Sequence, residues 1–245
     1  MVRHLFKQIS DELTIVPYSS TLEQQHKCNA KIVNVVNGLS IGKNERRENV
    51  YVNTDALMPY VVTDCNHQDV RLYTNGALAI NTDSQFLVRT AFECRFCYEG
   101  IVSLHAACVE MGDFAVAFTG HSGLGKSTRA RAWVEGLGAR WISGDRPAIR
   151  LEKQGSTACG VPWDGKEQIF RDVELPLRCI MEVRRSPVNY IRKLSEDQAR
   201  QLIMQQSFVP MWDTDAAVMA MANVRALIRK TPVHRVFCEI GRAHV

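Results

Sequence analysis

Between residues 31 and 81 short apolar-rich runs alternate with polar turns: KIVNVV, NVYVN, PYVVTD, VRLYT and ALAIN. Runs of this kind, rich in Val, Ile and Tyr, predict the strands of a small antiparallel sheet. Asn75-Gly76, between the last two, predicts a two-residue hairpin, because both turn positions need φ > 0. The next run, SQFLVRTAFECRFCYEG (residues 84–100), predicts one helix capped at Ser84 and stopped near Gly100.

From residue 103 the texture changes. SLHAACVEM and FAVAFTG are nearly continuous apolar runs, as expected for strands inside a sheet covered on both faces. KSTRARAWVEGLG predicts a helix ending at its glycines, and ARWIS a further strand. Later, PLRCIMEVRR predicts a strand and SEDQARQLIMQQSF a helix capped by Ser195. DAAVMAMANVRALIRKT predicts a longer helix, and PVHRVFCEI a closing strand. The expected class is α/β, with an N-terminal antiparallel β-rich segment ending in a helix over residues 1–100. A second region, the core, covers 101–240.

The strand FAVAFT runs directly into GHSGLGKST, and this carries the chemistry. Gly120, His121, Ser122, Gly123, Leu124, Gly125, Lys126 and Ser127 fit G-x-x-x-x-G-K-[ST], and Thr128 follows, between a strand and a helix, the context that a phosphate-wrapping P-loop needs. The three glycines let several backbone N–H groups aim at one anion, helped by the helix N-terminus. Lys126 brings a positive charge to the β- and γ-phosphates, and the Ser127 hydroxyl can ligate Mg²⁺. The strand after the helix leads into SGDRP, so Asp145 can reach the metal or the attacking group, or else caps the turn before Pro147. No LSGGQ-like, NKxD-like or late Asp-Glu strand end is present. That speaks against a transport ATPase, a GTPase switch and a motor ATPase.

Composition narrows the partners. The chain has 245 residues, a net charge of +4 and 23% charged residues. Without a long basic cluster, nucleic acid is not an expected partner, and Arg46-Arg47 and Arg184-Arg185 read as solvated surface. No run of roughly 18 apolar residues predicts a membrane span. Eight cysteines without a secretory signal predict a reduced, cytoplasmic setting. Cys94-x-x-Cys97 reads as helix cysteines buried as small hydrophobes, ahead of a metal or redox pair.

The segment from His105 to Asp145 resembles the catalytic domain of HPr kinase/phosphorylase and its relatives, whose P-loop core is shared with PEP carboxykinase. His105 matches the histidine ahead of the P-loop strand. Ser143-Gly144-Asp145 matches the acidic motif, with Gly144 where the family has its first acid. GVPWDGKE resembles the G-x-P-W-x-G element of HPr-kinase-related proteins found beside peptide-modifying genes, and TPVHRVFCEI their closing strand. The resemblance covers about residues 103–240; the N-terminal sheet and the phosphorylase loop of true HPr kinases have no counterpart. It implies an ATP- and Mg²⁺-dependent kinase acting on a hydroxyl, by preference a serine, of a protein or peptide. Asp145 would be base or magnesium ligand, Lys126 the phosphate cation, and His105 the group that orients Asp145 or binds phosphate. Lys166 and Glu167 would form an exposed charged turn, or else approach the γ-phosphate and a metal; His105 could equally be a core histidine on its strand; Trp163 packs and Arg146 pairs with Asp145 at the surface. HPr kinases are hexamers, so a homo-oligomer is compatible with the resemblance. The competing expectations are a small-molecule kinase and a nucleotide-binding regulator without turnover. IGRAHV, residues 240–245, is what a sequencing adapter encodes in one frame, so 241–245 are expected to be a non-native tail.

Overall fold

The computed structural model describes residues 14–17, 31–36, 39–53, 60–74, 82–163 and 169–238. The chain divides into two compact units, Met1–Glu99 with Pro210–Ala217, and Gly100–Val209 with Val218–Val245. The expected Asn75-Gly76 hairpin, the ALAIN run and the 241–245 tail lie outside the described residues.

In the first unit β1 (Thr14–Pro17), β2 (Lys31–Val36), β3 (Leu39–Lys43), β4 (Asn49–Asn53), β5 (Tyr60–Thr63) and β6 (Val70–Thr74) form one sheet in the order β1-β6-β5-β4-β3-β2. Strands β2 to β6 pair antiparallel, as expected. β1 corrects the expectation of a purely antiparallel sheet, because it adds to β6 in parallel. Helix α1 (Thr82–Tyr98) starts two residues before the expected Ser84 cap and packs on β4, β5 and β6. The structure buries Cys94 and Cys97 on it. Burial pushes the Cys97 thiol up to about 12, so it stays protonated. Buried His67 lies 3.3 Å from Asp213 Oδ2, and Asp213 Oδ1 accepts from the Ala216 N–H.

The second unit is a mixed sheet. β7 (Ile101–Ser103), β8 (Ala106–Met111), β9 (Phe114–Thr119), β10 (Arg140–Ser143), β11 (Ala148–Leu151), β12 (Ser156–Cys159) and β13 (Glu174–Arg185) run in the order β10-β8-β9-β13-β12-β11-β7. β14 (Tyr190–Lys193) and β15 (Val233–Cys238) extend it from β13. Only β13 is long enough to hold two ladders on one side, β12 against its first residues and β15 against Ile180 to Arg185. Its other side pairs with β9 in parallel.

Alternation along β8 explains its unbroken apolar run. Ala106 and Cys108 join the cluster that holds Leu202 and Ile203 of α3 (Glu196–Gln206) and Val224 and Leu227 of α4 (Thr214–Lys230). Ala107 and Val109 join the opposite cluster, which holds Ala130 of α2 (Lys126–Leu137). With both faces covered, both parities must be apolar. α3 carries the capping box expected from Ser195, closed by Gln198.

One local expectation changes, and two features were not foreseen. SLHAACVEM is two strands, broken where the Leu104 N–H turns to Pro147 O and the His105 N–H to Gln206 O. β11 and β12 carry no clear period, and β14 is exposed at every residue, so none of the three gave a pattern to read. Gly160, inside the G-x-P-W-x-G element, is fixed by space, since a Cβ there would sit 1.7 Å from Arg171 O. Gly160→Ala should therefore destabilise the fold by about 1–3 kcal/mol, the cost of overpacking. Urea unfolding reads this directly, and an unchanged midpoint would contradict the contact.

Among the described residues no helix is long and apolar enough to cross a membrane. The result is a mixed α/β chain in which the glycine loop follows a central strand.

Candidate functional site

Gly120 leaves β9 at φ +135 with Val183 O 3.4 Å from where a Cβ would stand, so both conformation and space favour glycine. Gly125 reaches α2 in the left-handed region, at φ 91 and ψ 29. The helix that follows breaks two ordinary rules. Its N-cap makes no side-chain hydrogen bond, and its first turn contains no acidic residue. Instead it opens on Lys126, a cation at the positive end of the helix dipole. Such an end is unfavourable alone and favourable once an anion joins it.

Lys126 folds back over the loop. Its Nζ donates to Gly120 O at 3.0 Å and to His121 O at 3.4 Å. Burial lowers its pKa from the usual lysine value, with the Asp145 carboxylate acting in the opposite direction. His121, Ser122, Gly123 and Thr128 are exposed, while Leu124, Gly125 and Ser127 are half-buried.

His105 stands between two strand ends because β8 runs antiparallel to both β9 and β10. Its start therefore lies beside their finish. Thr119 Oγ1 donates to His105 O at 2.9 Å, and His105 N donates to Gln206 O at 2.7 Å. The imidazole Nε2 lies 3.6 Å from Asp145 Oδ1, just beyond hydrogen-bond range. Burial lowers the His105 pKa most, followed by the Lys126 cation; Arg146 adds to this, while Asp145 and Gln206 pull it upward. The net lowering favours the neutral ring near pH 7. Asp145 is set by Gly144, whose N–H donates to Ile169 O at 2.9 Å.

The geometry thus brings His105, Lys126 and Asp145 within one electrostatic neighbourhood at the loop. Lys166 and Glu167 lie outside the described residues. Among the described residues no three His, Cys, Asp or Glu converge on a protein-only metal cage. A magnesium ion held by a hydroxyl, one carboxylate and phosphate oxygens needs no such cage.

Three contributors were not singled out from the sequence. Thr119 and Gln206 fix the His105 backbone, and a threonine at a strand end or a glutamine at a helix end gives no signal of such a role. The third is Arg185, which is exposed as expected for this pair and whose Nη2 donates to Gly123 O at 3.0 Å; its neighbour Arg184 is half-buried and its Nε donates to the buried Glu182 at 2.6 Å.

No protein-family model matches the chain, and no curated protein matches it. Among solved structures, the Hpr(Ser) kinase/phosphatase from Coxiella burnetii aligns with 57% of this chain and 86% of that one, at 11% identity and a TM-score of 0.32. A likeness that weak carries no argument about this chain.

Proposed function

We propose that the chain is a P-loop phosphotransferase that moves the γ-phosphate of ATP to a hydroxyl, by preference a serine, on a protein or peptide. The observation that carries this reading is the opening of α2. A helix start with no capping side chain and no acid in its first turn, and with Lys126 folded over the glycine loop, gathers backbone donors and positive potential at one place, with Asp145 the nearby carboxylate. A phosphate chain is the ligand for such a concentration of donors.

The other residues take roles by their chemistry. Asp145 accepts the proton of the attacking hydroxyl as the new P–O bond forms, and ADP leaves with the electrons of the old one. His105, 3.6 Å from Asp145, would orient it once the two close to hydrogen-bonding distance around substrate, or would bind phosphate. Lys126 neutralises charge on the transferring group, a stabilisation made by position and charge alone. Ser127 and Asp145 would hold Mg²⁺, which when bound draws charge from the phosphate oxygens.

The test is transfer of label from γ-labelled ATP to serine-containing peptides. Acid-stable label on serine supports the reading. Saturable nucleotide binding without transfer to any hydroxyl would instead make the chain a nucleotide-binding regulator, and label only on small molecules would make it a small-molecule kinase.

A further inference from the structure

The end of β13 ties the phosphate loop to a strip of surface with no described partner. Arg185, its last residue, bonds Gly123 O, and the chain then turns through exposed Val188 into β14. β14 pairs with β15 from Tyr190↔Phe237 to Lys193↔His234, and among the described residues its outer edge pairs with nothing. All four residues are exposed, Ile191 at 56%. Tyr190 stacks flat on Phe237 with centroids 4.2 Å apart, and the Arg192 guanidinium lies 5.8 Å from the same ring. At the far end Lys193 borders a groove of about 520 Å³, shared with Leu194, Ile228 and Arg229. A strip thus runs from the loop, along an open edge, into a groove.

We propose that an extended acidic segment of the acceptor polypeptide docks on this strip, adding as a strand to the outer edge of β14 and lying beside Arg192 and Lys193. The proposal rests on the phosphotransferase reading for the word acceptor, but its geometry does not. An open edge offers backbone donors and acceptors that only an extended chain matches. At about 3.3 Å per residue, β14 holds roughly 13 Å of partner, a short recognition segment next to the loop.

Charge selects the occupant. Among the described residues Arg192 and Lys193 form no ion pair with a carboxylate, whereas Glu196 beside the groove lies 3.7 Å from Arg229. Two copies of β14 paired antiparallel in full register would set Arg192 opposite Ile191 and Lys193 opposite Tyr190, leaving each Lys193 diagonal to the other copy's Arg192 on the same face, an unfavourable like-charge approach. The cations that repel a second copy attract an acidic strand and steer its approach. Val188, Tyr190 and Ile191 supply the apolar contact that a purely protective, charged edge would lack.

The experiment is a fluorescence-anisotropy titration of the full chain, without nucleotide. Its probe is a fluorescein-labelled decapeptide of alternating glutamate and valine with one central serine. Two control peptides carry lysine for glutamate, or N-methyl groups at alternate residues. The acidic peptide should bind, and both controls should bind at least about tenfold more weakly, a difference of roughly 1.4 kcal/mol. Arg192→Glu with Lys193→Glu should weaken the acidic peptide by a similar factor. Both substitutions are at exposed positions, and circular dichroism checks that the fold persists. Equal binding to wild type and the double variant would overturn the proposal, as would equal binding of the N-methylated peptide. Self-association of the chain that Ile191→Glu abolishes would also overturn it, by giving the edge to a second copy. Since no nucleotide is present, loss of phosphoryl transfer and loss of docking are read separately.

Discussion

Asp145→Asn should leave metal-free nucleotide affinity within about twofold and lower phosphoryl transfer by at least about 10²-fold, the lower bound for losing a positioned base. The substitution keeps the size and removes the charge, while the glycine N–H groups and Lys126 stay in place. A second readout is independent of turnover. Asp145 is one of the groups holding the His105 pKa up against burial and Lys126. With the carboxylate gone, the His105 imidazole should titrate at lower pH than in wild type, which ¹H–¹⁵N NMR of the ring measures. A loss of activity below tenfold would make Asp145 the cap of the turn before Pro147. An unmoved His105 titration would show that the two side chains do not meet in solution.

Lys126→Ala should weaken nucleotide binding about ten- to a hundredfold, since a hydrogen bond to a charged group contributes roughly 1.5–3 kcal/mol. It should also move His105 the other way. Lys126 is the largest influence after burial that lowers this pKa, so its removal raises it toward the ordinary histidine value. The sign for stability follows. With a folded pKa below the unfolded one, the unfolded chain binds more protons in the interval between them, and stability falls as pH drops through it. The variant narrows that interval from below, so its stability should decline less between about pH 6.5 and the folded value. Denaturant midpoints across this range provide the measurement. Wild-type nucleotide affinity in the variant would remove the phosphate-loop assignment, and an unchanged acid slope would remove the Lys126–His105 interaction.

The glycine loop between β9 and α2 was legible because its constraints are local. Gly120 and Gly125 declare backbone conformations that side chains resist, and the apolar run of β9 sets where the loop begins. Ser195 announced α3 for the same reason, its capping box lying within four residues. His105 and Asp145 drew notice through a family resemblance and a position after a strand. Their separation depends on β8 lying between β9 and β10, and strand order leaves no mark on periodicity. The hydrogen bond of exposed Arg185 was not legible because its partner is 62 residues upstream, and a basic pair has the same local pattern with or without a carbonyl beside it. β14 was missed because no face of it is buried, so it has no alternation to detect. The break inside SLHAACVEM was hidden by composition, since β7 and β8 are both covered and the step between them carries no glycine or proline.

The double pairing of β9 also has a consequence for the order of assembly. Its antiparallel neighbour β8 is reached through a tight hairpin, Met111 opposite Phe114, which closes on a microsecond scale. Its parallel neighbour comes from the far side of a long excursion, Leu177 opposite Ala115, and must first meet the entropy of closing that loop. Until β13 arrives, Gly120 lacks the Val183 carbonyl that walls it in, and Arg185 cannot hold Gly123. During synthesis the whole glycine motif therefore leaves the ribosome well before the chain that shapes it, and the loop takes its final surroundings only when β13 has closed on β9.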